Sequence, residues 1–322
     1  MCEPRYPAAP TVLRMHSDHP TESRIIGTPG WWAESALPPG VAGLPNWSLS
    51  LREPLSPGAR FDPSVPHPAR VYDYWLGGKD HFPADRRVGE QVIRQRPQVV
   101  AGARANRAFL ARVVRYLAAE RGIRQFLDIG TGLPSADNTH QVAQTADPGA
   151  RVVYVDNDPL VLVHARALLT STRQGACDYL GADLRDPGGI LDKAAATLDF
   201  TRPVGVLLLA VLHFLPDTDD PAAIVAALAV GLASGSCLAI SHLTADLAPQ
   251  QVTAAAGAYN ATSPVPVIAR THAQVTALFG GLPLLPPGVV PVTEWRPNAG
   301  EKPSQAADLH AGVARIPRPG RR

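Results

Sequence analysis

The sequence predicts a doubly wound α/β domain, a mostly parallel sheet with helices on both faces. Two observations carry that reading. From Gly122 onward, short apolar runs alternate with helical segments. The runs are continuous rather than alternating, as strands buried on both faces must be. Three of the helical segments also open with an acid followed by proline: Asp158-Pro159, Asp186-Pro187 and Asp220-Pro221. The carboxylate caps free N–H groups, and proline at the first helical position gives up a donor the helix has no use for.

The elements follow in order. Thirteen of the 33 prolines fall within residues 1–68, and proline cannot donate to a ladder or a helix interior. Residues 1–60 are therefore expected to be disordered, with Trp31, Trp32 and Trp47 too isolated to found a core. Met15 is an alternative start. Residues 61–122 read as a helical lid. RVYDYWLGGKDHFPADRR (70–87) begins as a short helix, is cut at Gly77-Gly78, and resumes before Pro97. In the next segment Phe109, Leu110, Val113, Val114 and Leu117 share one stripe, a helix of about four turns closed by Gly122.

Strands are expected at Arg124–Ile129, Arg151–Asp156, Asp178–Ala182, Val204–Leu212 and Ser236–His242. Beyond Thr244 the pattern loosens. Helices are expected around Gln250–Tyr259 and His272–Phe279, and strands near Leu282–Leu285 and His310–Ile316, ending the 123–316 domain. Residues 317–322 form a loose tail.

Bulk composition excludes several classes. A chain of 322 residues that is 45% hydrophobic and 18% charged builds a globular core. A net charge of +2 makes no global case for nucleic acid or a membrane surface. Cys2, Cys177 and Cys237 have neither metal-ligand spacing nor a disulfide framework. The longest apolar run, Val204–Leu212, is under half the ~20 residues of a membrane helix. A soluble, cytoplasmic protein is expected.

Ligands of open parallel sheets bind at the carboxyl ends of the strands, where strand order reverses. The first strand ends in FLDIGTGLPSADNTH (126–140). Gly130, Thr131 and Gly132 match the start of a dinucleotide loop, but Ser135 stands at the third glycine position and Asp128 would repel a diphosphate. An adenosine with a cationic end suits the acid better, and S-adenosylmethionine is such a ligand. This disfavours a nicotinamide-dependent oxidoreductase. Asp156 closes the second strand, where a carboxylate accepts from ribose hydroxyls. Asp183 follows the third, within reach of an adenine amino group. Any one of these acids alone also reads as a turn former. Three at successive strand ends, the first on a Gly-x-Gly loop, point to one site.

At these residues the chain resembles the class I S-adenosylmethionine-dependent methyltransferases. More narrowly, it resembles a bacterial family first catalogued as a domain of unknown function and now called S-adenosyl methyltransferase. The strings that carry the resemblance are RVYDYWLGGKDHFPADR (70–86), NRAFLARVVRYL (106–117), QFLDIGTGLP (125–134), NTHQVAQ (138–144), ARVVYVDNDP (150–159), ADLRDP (182–187), LLLAVLHFLPD (207–217) and SHLTAD (241–246).

The resemblance implies a seven-stranded sheet with an antiparallel last strand. It also implies cofactor roles for Asp128, Gly130, Thr131 and Gly132 toward the methionine part. Asp156 with Asn157 would take the ribose, and Asp183 with Leu184 the adenine. Ala210, at the end of the fourth strand, would abut the transferred methyl. The chain departs from the family at Ala136-Asp137, where a Gly-Asn or similar pair is usual. The acceptor is expected to be a small molecule; a protein that binds the cofactor without catalysis is the competing reading.

His213 is a candidate general base, because imidazole titrates near neutral pH, or else a packing residue. His242 and Tyr259 read first as packing residues. In the lid, Tyr72, Tyr74, Lys79, Asp80 and His81 form the densest cluster of functional residue types, where aromatics can surround a sulfonium. The same segment also reads as an amphipathic helix anchored by aromatics. Arg94, Arg96, Arg104, Arg107, Arg112, Arg115, Arg121 and Arg124 read as a solvated basic face rather than an RNA surface.

Overall fold

The computed structural model describes residues 62–168, 170–298, 300 and 307–317. The expectations for residues 1–60 and for the tail past Pro317 lie outside the described residues. Seven strands are present among them: β1 (Gln125–Ile129), β2 (Arg151–Asp156), β3 (Ala176–Gly181), β4 (Gly205–Leu209), β5 (Cys237–Leu243), β6 (Val290–Pro291) and β7 (Leu309–Arg315). They form one sheet in the order β3-β2-β1-β4-β5-β7-β6. The first five are mutually parallel, and β7 runs antiparallel to both β5 and β6. Strand order reverses between β1 and β4, so the crevice for a ligand lies at their carboxyl ends.

Both faces of the sheet are covered, which explains the continuous apolar strands. Leu127, Ile129, Val153, Val155, Val206 and Leu208 pack on one face with α6 (Pro187–Ala194) and α7 (Pro221–Val230). Phe126, Val152, Tyr154, Leu207 and Leu209 pack on the other, against α3 (Val99–Ala119) and α4 (Thr139–Ala146). The Asp-Pro starts behave as capping chemistry requires: Asp186 accepts from Gly189 N–H and Asp220 from Ala223 N–H, each at 3.0 Å. Asp158 opens α5 (Pro159–Leu168) and accepts from Leu160 N–H at 2.9 Å.

Two further helices, α1 (Pro68–Leu76) and α2 (Pro83–Gln95), precede α3 and meet α8 (Pro249–Asn260). Val71, Val88 and Val92 join Ala255, Tyr259 and Val267 in a third, smaller core. Asp158 ties this layer to β2, because His67 Nδ1 lies 3.1 Å from its carboxylate.

Three expectations need correction. The fourth strand stops at Leu209 rather than Leu212. Ala210 adopts φ +55°, which breaks the ladder, and Leu212–Phe214 form a short 3₁₀ turn. The segment Leu282–Leu285 makes only an isolated bridge, Leu284 to Ala314. Pro283, Pro286 and Pro287 deny it ladder donors, and Val290–Pro291 takes the edge position instead. The arginine run is a solvated face only in part: Arg94, Arg104, Arg115 and Arg121 are exposed, and the others are drawn into the fold. Arg112 is buried and donates to the carbonyls of Trp295 and Val292. Arg96 pairs with Asp308, and Arg124 with Asp147. No helix among the described residues is long and apolar enough to cross a membrane.

Candidate active site

β1 carries Asp128 to the reversal point, and the chain then turns through Gly130 and Gly132 at φ +72° and +67°. A Cβ on Gly130 would lie 2.4 Å from Val211 Cγ2, so backbone conformation and space both exclude a side chain there. In front of Gly132 the space is open.

Asp128 is buried, and its Oδ2 accepts from Thr139 Oγ1, the first residue of α4, at 2.6 Å. Burial pushes its carboxyl up to about 6, against the Thr139 hydrogen bond and the Arg107 guanidinium and with help from Asp156. Asp156 holds the loop to β2: Oδ2 accepts from Gly132 N–H and Oδ1 from Asp158 N–H, both at 2.9 Å. Burial raises its pKa too. Each oxygen keeps a further lone pair for a ligand. Asp183, half-exposed, accepts from Arg185 N–H at 2.9 Å and pairs with its guanidinium. These three acids line a single cleft of about 270 Å³ together with Thr131, Asn157, Leu184 and Ala210.

The lid residues divide. Tyr72 lines the cleft, and its hydroxyl donates to Ala103 O at 3.0 Å. It accepts from Asn106 Nδ2 at 3.1 Å, Asn106 Oδ1 accepts from Ser241 Oγ at 2.6 Å, and Ser241 Oγ accepts from Ala210 N–H at 3.0 Å. This chain of bonds holds the strained Ala210 in register with α1 and α3.

Tyr74, Lys79, Asp80 and His81 do not line the cleft. Their turn folds around the buried Asp73 instead, whose Oδ2 lies 3.0 Å from both Asp80 N and His81 Nδ1. Tyr74 packs edge-on against His81, and Lys79 is exposed.

His213 also lies off the cleft wall, and the geometry does not support its expected role as a base. Its Nδ1 accepts from Leu243 N–H at 3.3 Å, which assigns the proton to Nε2. Burial holds the ring well below the ordinary imidazole range, with His242 and Arg270 acting in the same direction. It is a neutral donor.

Sequence reading missed two cleft residues, Asn106 and Arg107. Asn106 interrupts the apolar stripe of α3 one turn before Leu110, and that interruption is the signal that could have found it. Arg107 was hidden in the arginine run. Its Nη2 donates to Ala136 O and Asp137 O at 2.9 and 3.2 Å. Asp137 has φ +56°, a conformation Asn and Asp tolerate better than most residues. Arg107 Nε is buried without a partner.

Residues 55–317 match the S-adenosyl methyltransferase family. The chain belongs to that family. This methyltransferase is similar to a DUF574 family protein of known structure from Streptomyces avermitilis, at 46% identity and a TM-score of 0.77. The match covers 80% of this chain and 100% of that one. It is also similar to a protein from Thermobifida fusca described as a methyltransferase, at 40% identity and a TM-score of 0.74, covering 79% of this chain and 96% of that one. No curated protein matches the chain.

The enzyme uses S-adenosyl-L-methionine as methyl donor, and the residues present suit it. A buried guanidinium nitrogen without a partner stands near a buried carboxylate, a pair matched to an amino acid's two charges. Lysines that would favour a diphosphate do not line the cleft.

Proposed function

We propose that Asp128 and Arg107 grip the amino-acid end of S-adenosylmethionine, Asp128 facing the ammonium and Arg107 the carboxylate. Asp156 with Asn157 takes the ribose hydroxyls, Asp183 with Leu184 the adenine, and Ala210 faces the transferred methyl. The acceptor is a small molecule, and residues 62–122 act as the lid. The observation that carries this reading is the single cleft shared by Asp128, Asp156, Asp183 and Arg107 at three adjacent strand ends.

When bound, S-adenosylmethionine supplies an electrophilic methyl whose carbon–sulfur bond breaks as an acceptor lone pair attacks it, leaving S-adenosylhomocysteine. The chain's own residues position the two partners and exclude water. Pro68, Tyr72 and Leu76 of α1 line the same cleft as the glycine loop. The Tyr72–Asn106–Ser241 chain fixes both that wall and Ala210. Alignment and exclusion of water supply several kcal/mol in displacements of this kind. A neutral His213 with Nδ1 occupied by Leu243 N–H and its proton on Nε2 is not placed to take the acceptor's proton.

A small acceptor is supported by the fate of the basic residues. Arg96, Arg107, Arg112 and Arg124 are engaged within the chain, so among the described residues these four are not free to pair with a polyanion. The unpaired Cys177 and Cys237 support a reducing, cytoplasmic setting.

Calorimetric titration with S-adenosylmethionine, S-adenosylhomocysteine and NAD tests the cofactor site. The first two are expected to bind one-to-one and NAD not at all. Loss of S-adenosylmethionine only when a metabolite extract is added tests the acceptor. Equal turnover with the small-molecule fraction removed would contradict it.

A further inference from the structure

Behind the cofactor cleft lies a second cavity of about 100 Å³, between α1, α2 and α8. It adjoins the cleft through four shared wall residues, Pro68, Tyr72, Ala210 and Phe214. Among them is Ala210, the residue assigned to the methyl side. The rest of the wall is apolar, with Val71, Val92, Val252 and Ala256 prominent. The charged groups lining it are Arg96 and Asp308, bonded to each other at 2.7 and 2.9 Å. A charged ligand would find no free counter-charge there.

Tyr72 and Trp75 donate to Ala103 O and Gly89 O, which leaves two other polar groups. His213 is held neutral with its Nε2 proton unspent by the Leu243 bond. Tyr259 is 3% exposed, and its hydroxyl makes no hydrogen bond of good geometry among the described residues, with only the Ser263 side chain beside it. Burial pushes the phenol above its ordinary range, with the nearby Ser263 opposing, so it stays a neutral donor and acceptor. A buried hydroxyl without a partner is costly by about 1–3 kcal/mol. Tyr259 lines the apolar cavity, and a buried hydroxyl this poorly satisfied marks a place where a ligand's polar group belongs.

We propose that this cavity holds the methyl acceptor, and that the acceptor presents an uncharged, single-ring apolar end carrying one hydroxyl or similar group. Tyr259 is the specificity residue that reads that group. The void sets an upper bound on size: an apolar cavity of ~150 Å³ takes up one benzene ring, and this one, about 100 Å³ and adjoining the cleft, holds no more than a single ring. The inference rests on the cofactor assignment above, because it is contact with Ala210 that makes the cavity an acceptor site.

The test uses the full chain, first titrated with S-adenosylhomocysteine and then, loaded with it, with phenol, toluene and benzoate. Phenol is expected to bind best, toluene more weakly and benzoate not measurably. In Tyr259→Phe the preference for phenol over toluene should fall about three- to tenfold, the worth of one hydrogen bond. In Ala256→Leu, which fills the void, both ligands should be lost while S-adenosylhomocysteine binding stays within twofold. If the wild type binds S-adenosylhomocysteine but none of the ring probes, or if Ala256→Leu leaves their binding unchanged, the acceptor assignment is overturned. Failure of S-adenosylhomocysteine itself to bind would instead overturn the cofactor site.

Discussion

The two halves of the sheet's carboxyl edge are built on opposite principles. At β1, β2 and β3 the chain places Asp128, Asp156 and Asp183, with Arg107 leaning in from α3. At β4 and β5 it places a strained alanine, two neutral histidines and an apolar void. Even Arg270, buried beneath the β5 end, is consumed by Leu212 O, Leu215 O, His242 and Asp217. The charged half suits a ligand with fixed charges and hydroxyls. The neutral half suits an apolar partner and keeps water from the methyl group. One strand end recognises and the other excludes.

The comparison breaks most easily at Asp156. In Asp156→Ala the N–H groups of Gly132 and Asp158 lose their acceptor and the ribose loses its own. S-adenosylhomocysteine affinity should fall by about 1–3 kcal/mol, roughly 5- to 150-fold, by calorimetry. An unchanged affinity would move the ribose elsewhere.

Gly130 joins the two halves, since Val211 fills the space a side chain would need. Gly130→Ala should cost about 2 kcal/mol of unfolding free energy, from the positive φ and from a stiff valine that cannot turn aside. Adding Val211→Ala should recover the clash but not the conformational part. Strictly additive losses in denaturant melts would show that the halves do not touch here.

Asp128 gives a pH signature. With its carboxyl near 6 in the free enzyme, protonation below that point removes the charge that attracts the ammonium. Affinity for S-adenosylhomocysteine should therefore drop by up to tenfold per pH unit as pH falls from 6, and level off above 7. The linkage to folding has the opposite sense. A carboxyl raised from 3.8 favours the fold below about pH 4, and that contribution is lost as pH rises through 6. Asp128→Asn should thus flatten the binding profile while raising the melting temperature at pH 8. A steep profile that survives in the variant would assign the titration to another group.

The smallest effect belongs to the neutral half. His213→Gln retains a donor and should change S-adenosylhomocysteine affinity by less than about twofold, since the ring is outside the cleft. A larger loss would place His213 in the cofactor site.

How far each half could be read from sequence follows from the same contrast. The acid-ended strands are local: FLDIGTG, VVYVDND and LGADL each carry strand, turn and carboxylate within a few residues. Helix caps such as Asp186 and Asp220 are equally local. The neutral half is assembled from α1, α2, α3, β4 and α8, far apart in the chain, and its chemistry is an unfilled space that no string encodes. For His213 the sequence left a base and a packing residue both open, because its tautomer is set by Leu243, thirty residues on. Lys79 and His81 misled because the double glycine makes room for the Asp73 carboxylate rather than for a ligand: a Cβ on Gly78 would lie 1.9 Å from Asp73 Oδ1.

The division of labour is tested most directly by a crystal structure of the enzyme with S-adenosylhomocysteine bound. The ribose hydroxyls should lie within hydrogen-bond distance, about 2.5–3.2 Å, of Asp156, with the amino group toward Asp128 and the sulfur toward Ala210. A nucleoside seated instead in the apolar cavity beside His213 and Tyr259 would contradict it.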